Sequence, residues 1–496
     1  MKGTRRSSLA PDIRPRAAKV CVVLAVAMLG AGFLAAPGAT ALNGLTTGFS
    51  GDDLLNGGPL ARNATWLDRA ASEGAGMVRV SIVWWSVAPL HRPSGFQPSD
   101  PASPGYNWTT TDARIRAISA HGLRVLADIL YAPRWAEGPR RPPDAPAGTW
   151  RPNPVQFAAF ARAAARRYSG TFPDPLHPGK LLPRVTYWQA WNEPNLYFLS
   201  PQWVRTRTGW SPASPGIYRA MLNDFYAAVK SVSASNVVLM AATAPYGDPP
   251  GGARMRPVQF YRALFCLNGS LKRVGCPGPV HLDAVDNHPY ELSAAPTHRA
   301  YWPDDVAVPD VWKITRVLHA AEQAGTVLPG GHKQVWATEL IWDSEPPSTS
   351  TDVSAVPLAT QALYLEQAMY LLWRQGVDTV LWYSIRDDPP VRHYLAAFDW
   401  GGLYYYSGAP KPAATAFRFP FVTHRIDSSQ VQAWGRAPSS GLLTISRRLN
   451  SGGWEAIASL PATAQGVFLT TLRLSGMAVL RAQVGSSTSL PWTQGA

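Results

Sequence analysis

Val185-Thr186-Tyr187-Trp188-Gln189-Ala190-Trp191-Asn192-Glu193-Pro194 decides how this chain is read. The β-branched and aromatic run reads as a short buried strand, and Asn-Glu-Pro ends it with a carboxylate at the C-terminal tip. Val335-Trp336-Ala337-Thr338-Glu339 repeats the plan. Outward from these two, further strand candidates lie at 45–50, 77–83, 124–130, 237–242, 284–288 and 379–384. Helical patterns follow near 62–74, 110–121, 154–168, 215–232, 256–265, 309–325, 355–375 and 409–418. In the third of these, Phe157, Phe160, Ala161, Ala164 and Tyr168 fall on one face, and Gly122, Gly325 and Gly376 close three others.

Strand and helix alternate through eight units, which predicts an α/β fold: a closed parallel (β/α)8 barrel, expected over 42–424. A doubly wound open sheet is the alternative, but no glycine-rich phosphate fingerprint follows the first strand. Pro-rich stretches at 86–108, 132–153 and 194–214 come after strands, on the face where barrels place their sites. Beyond a composition change near 423–429, short strands at 431–436, 442–449, 454–460, 467–472 and 478–484 read as a small Ig-like β-sandwich over 425–496.

Residues 1–41 read as an export signal. A basic start leads into Val20-Cys21-Val22-Val23-Leu24-Ala25-Val26-Ala27-Met28-Leu29, and Ala39-Thr40-Ala41 offers a cleavage site. An uncleaved anchor is the alternative, although Gly30, Gly32 and Pro37 interrupt the apolar run. The expected location is secreted or cell-surface, with no membrane span after signal removal. In an exported chain, Cys266 and Cys276 flanking a short polar loop are expected to form a disulfide, with two buried thiols as the other reading. No Cys or His pair has zinc-ligand spacing, so neither metal nor cofactor is expected.

The formal charge is +14, of which residues 1–19 carry +5. The remaining arginines are scattered over helices, for example Arg162, Arg166 and Arg167, which fits solvated faces better than a nucleic-acid groove. An anionic polysaccharide stays open as a substrate.

Two carboxylates at two strand tips, with aromatics around both, are the minimum equipment for cleaving a glycosidic bond. Glu193 would be the general acid, desolvated by Trp191, with Asn192 on a neighbouring sugar hydroxyl. Glu339 would stay ionised as the nucleophile. The fourth and seventh strands lie across a barrel mouth from each other, so their tips can converge.

At these residues the chain resembles the clan A glycoside hydrolases, retaining TIM barrels that include families 5 and 39. The resemblance implies an Asn before the acid/base after strand four and a nucleophile after strand seven, matched by Asn192, Glu193 and Glu339. It further implies Arg79 as support for the nucleophile, His288 and Tyr290 as a His-x-Tyr pair after strand six, and Trp382 as the aromatic floor. The His that family 5 carries after strand three is replaced by Tyr131-Ala132-Pro133-Arg134-Trp135-Ala136. Trp84, Trp85, Trp135 and Trp342 are further stacking candidates or core residues. Asp343, Asp387 and Asp388 read as solvated loop charges or hydroxyl ligands.

The expected activity is retaining hydrolysis of a β-linked polysaccharide or oligosaccharide, endo-acting in the first reading. Alternatives are an exo-acting β-xylosidase-like enzyme, a cell-wall transglycosylase, and a non-catalytic carbohydrate-binding barrel. Nucleic acid is not an expected partner, and the sequence leaves the oligomeric state open.

Overall fold

Eight parallel strands close into a barrel in the computed structural model, which describes residues 44–51, 60–347, 355–389 and 399–495. The strands are β1 (Thr46–Ser50), β2 (Met77–Val83), β3 (Arg124–Leu130), β4 (Tyr187–Ala190), β5 (Val237–Met240), β6 (Ala284–Asp286), β7 (Gln334–Ala337) and β8 (Thr379–Tyr383). Each pairs with its neighbours in sequence, and β1 closes the ring on β8 from Thr46↔Thr379 to Ser50↔Tyr383. This closure excludes the open sheet. The expected export segment, 1–41, lies outside the described residues. Among those described, no helix is long and apolar enough to cross a membrane.

The outer ring holds α1 (Leu60–Ser72), α2 (Thr109–Ala120), α3 (Pro154–Arg167), α4 (Ser214–Val232), α5 (Pro257–Leu264), α6 (Trp312–Gln323), α7 (Leu358–Arg374) and α8 (Pro412–Arg418). Local chemistry sets their ends. In α3, Asn153 accepts from the Gln156 backbone N–H at 3.0 Å, and Pro154 occupies the first helical position, where no N–H is needed. Its face of Phe157, Phe160, Ala161 and Ala164 is fully buried.

The barrel interior is layered. Met77, Leu126, Leu239, Ala284, Trp336 and Leu381 form an apolar floor. Gly48 admits that packing, because a Cβ there would stand 2.2 Å from Met77 O and 2.9 Å from Leu381 Cδ2. One inward step further up, Arg79, Asp128, Gln189 and Asp286 replace the apolar layer with a polar one. β4 ends one residue earlier than the sequence predicts, and β6 and β7 end two residues earlier. Glu193, His288 and Glu339 therefore stand on the rim beyond the paired backbone.

The C-terminal region forms two antiparallel sheets. One joins β9 (Phe421–Arg425), β10 (Gln430–Arg436) and β13 (Val467–Arg473). The other joins β11 (Gly441–Arg448), β12 (Trp454–Ala462), β14 (Ala478–Val484), β15 (Ser487–Thr488) and β16 (Trp492–Gln494). β9 occupies part of the stretch read as a composition break. Trp434 packs on Tyr370 and Trp373 of α7 with ring centroids 5.6 and 5.8 Å away. Arg436 donates to Leu45 O at 3.2 Å and Gly74 O at 2.9 Å. These contacts join the sheets to the barrel in one compact unit.

Cys266 and Cys276 form a disulfide. A loop this short is stabilised by about 2–3 kcal/mol when closed.

Candidate active site

The site rests on Arg79. β2 points it into the barrel, where it is 5% exposed and its guanidinium is shared among four elements. Nε donates to Gln189 Oε1 at 2.7 Å, and Nη2 donates to Asp128 Oδ2 and Asn192 Oδ1, each at 2.8 Å. Nη1 donates to Glu339 Oε1 at 2.5 Å and to Ser50 Oγ at 3.4 Å. Burial alone would weaken its hold on a proton, but the charges of Asp128, Glu339 and Asp286 reverse that and keep it a cation. Only a planar fork of five donors serves this many acceptors.

Gln189 continues the layer by donating to Asp286 Oδ2 at 2.5 Å. Asp286 also accepts from the Thr338 hydroxyl at 2.5 Å and the Thr338 N–H at 3.1 Å. Thr338 Oγ1 is 3.1 Å from His288 Nε2, and His288 Nδ1 is 3.0 Å from Glu193 Oε1. A continuous polar chain thus runs from Glu339 through Arg79, Gln189, Asp286, Thr338 and His288 to Glu193.

The two glutamates meet over His288. Its Nδ1 is 3.0 Å from Glu193 Oε1 and 3.6 Å from Glu339 Oε2, so these oxygens are separated by no more than the two distances laid end to end, about 6.6 Å. Burial would raise the Glu339 carboxyl. The charges of His288 and Arg79 and the hydrogen bonds from Tyr290 and Arg79 outweigh it and hold Glu339 below the usual glutamate range. The Tyr290 hydroxyl donates to Glu339 Oε2. Burial would lower His288, but Glu339, Glu193 and Asp286 raise it above the ordinary imidazole value. Asp128 is pushed up to about 6 by burial, against the pull of Arg79.

The backbone is bent to aim these groups. Trp191 has φ 80° and Glu193 has φ 37°, left-handed values that cost non-glycine residues about 1–3 kcal/mol each. They flank Asn192 and turn it to Arg79 while Glu193 turns to His288.

Arg79, Asn192, Glu193, His288, Tyr290 and Glu339 therefore converge as the sequence places them. Trp382 does not join them. Leu381 packs into the inner floor, so the period of two sends Trp382 outward. There it is fully buried, 6.1 Å from Trp342, with its indole N–H donated to Gly401 O at 2.8 Å. Tyr383 takes the inward position instead, close enough to Tyr290 for their charges to interact. Trp191 likewise does not cover Glu193. Its ring packs 5.6 Å from Phe157 of α3, and its N–H donates to Phe198 O at 2.8 Å.

Trp84 and Trp342 are core residues, Trp135 is half-buried, and Trp85 is 52% exposed. Asp343 and Asp387 are not solvated: both are buried, and Asp387 pairs with Lys411 at 2.6 Å, with both side chains fully buried. Asp388 is exposed.

Asp128, Gln189, Asp286 and Thr338 were not singled out from the sequence. Their signal was a polar residue at the inward position of an otherwise apolar strand. Tyr131, where family 5 has its His, has φ 59°, and its hydroxyl is raised first by burial and then by Tyr197, Asp128 and Glu193. Among the described residues, no group of three or more His, Cys, Asp or Glu is arranged to hold a metal ion.

No protein-family model and no curated protein matches this chain. Solved structures do. A family 39 glycoside hydrolase from the gut symbiont Bacteroides cellulosilyticus WH2 aligns with TM-score 0.51 and 18% identity, over 87% of this chain and 81% of that one. A glucosidase from Croceicoccus marinus aligns with TM-score 0.49 and 13% identity, over 90% of this chain and 100% of that one. The GH39 enzyme from Xanthomonas axonopodis pv. citri aligns with TM-score 0.48 and 14% identity, over 89% and 93%. The first of these likenesses establishes a shared fold, a barrel with an added β region.

Proposed function

We propose that this chain is a retaining β-glycosidase that hydrolyses O-glycosidic bonds by double displacement. The observation that carries the reading is the meeting of Glu193 and Glu339 on one nitrogen of His288, within about 6.6 Å of each other. This upper bound takes in the roughly 5–5.5 Å of retaining pairs and reaches only the lower edge of the roughly 6.5–9.5 Å that inverting pairs need to admit a water. The environments also differ in the required sense. Glu339 is held ionised by Arg79 and Tyr290, and Glu193 faces a histidine with which it can share a proton.

In the first step a Glu339 oxygen attacks the anomeric carbon. The bond to the leaving oxygen breaks, and that oxygen takes the proton from Glu193. In the second step Glu193 removes a proton from water. The water oxygen bonds to the anomeric carbon and Glu339 departs as a carboxylate. Asn192, fixed by Arg79, presents its amide N–H group to a substrate hydroxyl.

Endo-action on a polysaccharide is the reading favoured by the rim. Trp85, Tyr197, Tyr246, Tyr301 and Trp302 are 41–84% exposed on the segments that follow β2, β4, β5 and β6. Such faces suit several successive sugar rings better than one. Export of the chain, with 1–41 as its signal, agrees with the disulfide. We assign 42–424 to catalysis and 425–496 to an appended β module.

The test is hydrolysis of aryl β-glycosides and a polysaccharide panel, with the anomer of the first product read by NMR. Glu193→Ala and Glu339→Ala should each lose activity. An inverted product, or full activity in both variants, would reject the proposal.

A further inference from the structure

The mouth of the barrel is electrically lopsided. Loops 131–153, 194–213 and 241–256 follow β3, β4 and β5 and hold eight arginines against Glu137, Asp144 and Asp248, leaving Glu193 aside. The described loops after β6, β7 and β8 hold nine carboxylates besides Glu339 against Arg299, Arg386 and Lys411. The positive lip is the one that carries Glu193.

That lip is a single built surface. Ser200 N donates to Thr149 O and Arg151 N donates to Ser200 O, both at 2.9 Å, which joins the loops after β3 and β4. A hairpin, Trp203–Thr206 with Gly209–Pro212, then lies on the loop after β5. Trp210 presses on Gly251, where a Cβ would come within 2.4 Å of the indole nitrogen. Met255 N donates to Asn195 O at 2.8 Å and holds that loop to β4's end.

The fold uses some of these arginines. Arg254 pairs with Asp248 at 2.6 Å, Arg256 with Asp305 at 2.9 Å, and Arg141 with Glu137 at 3.4 Å. Arg134, Arg140, Arg151, Arg205 and Arg207 are exposed and, among the described residues, have no carboxylate at ion-pair distance. Two of them lie over aromatic faces: Arg205 is 5.1 Å from the Trp210 ring centre and Arg151 is 5.3 Å from that of Trp150. Stacking of this kind holds a guanidinium in place with its donors still free.

The direction of displacement says what should meet this lip. A nucleophile attacks the anomeric carbon opposite the leaving group, so with Glu339 beyond β7 the departing saccharide lies toward Glu193 and the loops after β3 to β5. We propose that these loops bind the leaving-group side of an acidic glycan, a saccharide bearing carboxylate or sulfate groups. Tyr197, 52% exposed, offers a face for a sugar ring. Arg134, Arg140, Arg151, Arg205 and Arg207 offer donors to the anionic groups. This inference rests on the glycosidase reading and names the substrate class of the same site.

The test is calorimetric titration of the Glu339→Gln protein with hexamannuronate, a chondroitin sulfate hexasaccharide and cellohexaose. An acidic hexasaccharide should bind roughly tenfold tighter than cellohexaose at low salt, and the difference should shrink at roughly 0.15 M salt. Tighter hexamannuronate binding assigns carboxylates, tighter binding of the chondroitin probe, which carries both groups, assigns sulfate, and equal binding assigns the shared anionic chemistry. The double variant Arg205→Gln/Arg207→Gln should weaken acidic binding about tenfold, whereas Arg316→Gln on the outer helix α6 should not. Cellohexaose binding as tightly as both acidic probes would overturn the inference. So would acidic binding that the double variant leaves intact, or that Arg316→Gln weakens equally. Failure of the glycosidase reading would show separately, as wild-type protein that cleaves no aryl glycoside.

Discussion

His288 Nδ1 stands 3.0 Å from Glu193 Oε1, and the network behind the ring fixes what that contact is. The single proton of the Thr338 hydroxyl is committed to Asp286 Oδ2 at 2.5 Å. Toward His288, Thr338 therefore accepts, and His288 Nε2 carries a hydrogen. The remaining proton is shared between Nδ1 and Glu193. Either Glu193 is a neutral acid donating to a neutral imidazole, or an imidazolium donates to a carboxylate. The first form is the one a general acid requires, and one proton separates it from an inactive pair.

This sharing sets the basic limb of activity. Burial would lower His288, but the charges of Glu339, Glu193 and Asp286 raise it, so the imidazole holds its proton above the ordinary imidazole range. His288→Asn keeps a polar side chain but removes the ring base. For a substrate with a poor leaving group, kcat/KM should fall about 100-fold, and the basic limb should move to lower pH. A pH–rate profile checks this, and an unmoved basic limb would count against the shared proton.

Arg79 makes a second prediction because its five contacts cannot be divided. Arg79→Lys keeps the charge but offers one ammonium to Glu339, Asp128, Gln189 and Asn192. It leaves buried acceptors unserved, for an expected loss of about 3–5 kcal/mol of stability. Glu339 should also lose part of what holds it low, so the acid limb of activity should shift to higher pH. Denaturant melts and a pH–rate profile read the two effects. A variant with wild-type stability and an unmoved acid limb would show that charge alone suffices.

Much of this architecture is legible without coordinates, for a physical reason. Strands buried on both faces read as short apolar runs, and each barrel strand lies within about three residues of its expected bounds at either end. The same habit hides the polar layer. Asp128 in Val125-Leu126-Ala127-Asp128-Ile129 looks like an interruption, yet it is the inward residue that meets Arg79. The identity of the inward set on β8 depends on Leu381 packing against Met77 and Leu126, a long-range fact. This is why Trp382 stands in the sequence reading where Tyr383 belongs. Asp387 reads as a solvated loop charge because its partner, Lys411, lies 24 residues on and only the fold brings the two together.

The Asp387–Lys411 pair gives a prediction with a definite sign. Burial pushes Asp387 up to about 6, and Lys411 only partly offsets it. A carboxyl raised in the folded state above its ordinary value near 3.8 binds more protons folded than unfolded. Its contribution to stability is present below pH 4 and is lost as pH rises through 6. Asp387→Asn has no such dependence. The stability of this variant relative to wild type should therefore rise by about 2–3 kcal/mol between pH 4 and pH 7. Urea unfolding at both values measures it, and a constant difference would contradict the raised value.

Thr338 separates positioning from mere packing. Its hydroxyl lies between Asp286 and His288, 2.5 Å from one and 3.1 Å from the other, and it touches neither glutamate's reacting oxygen. Thr338→Val keeps the shape and removes both hydrogen bonds. His288 Nε2 then has no acceptor there, and the ring is free to hold its hydrogen on Nδ1, where it no longer accepts from Glu193. Thr338→Val should therefore lower kcat about 10- to 100-fold with little change in KM, and should distort the basic limb of the pH profile. Thr338→Ser restores the hydroxyl without the methyl and should recover most of the rate. If Thr338 served only to fill space, Ser would be the worse replacement and Val the neutral one. The order of the two variants, read from kcat on a single aryl glycoside, decides between these roles.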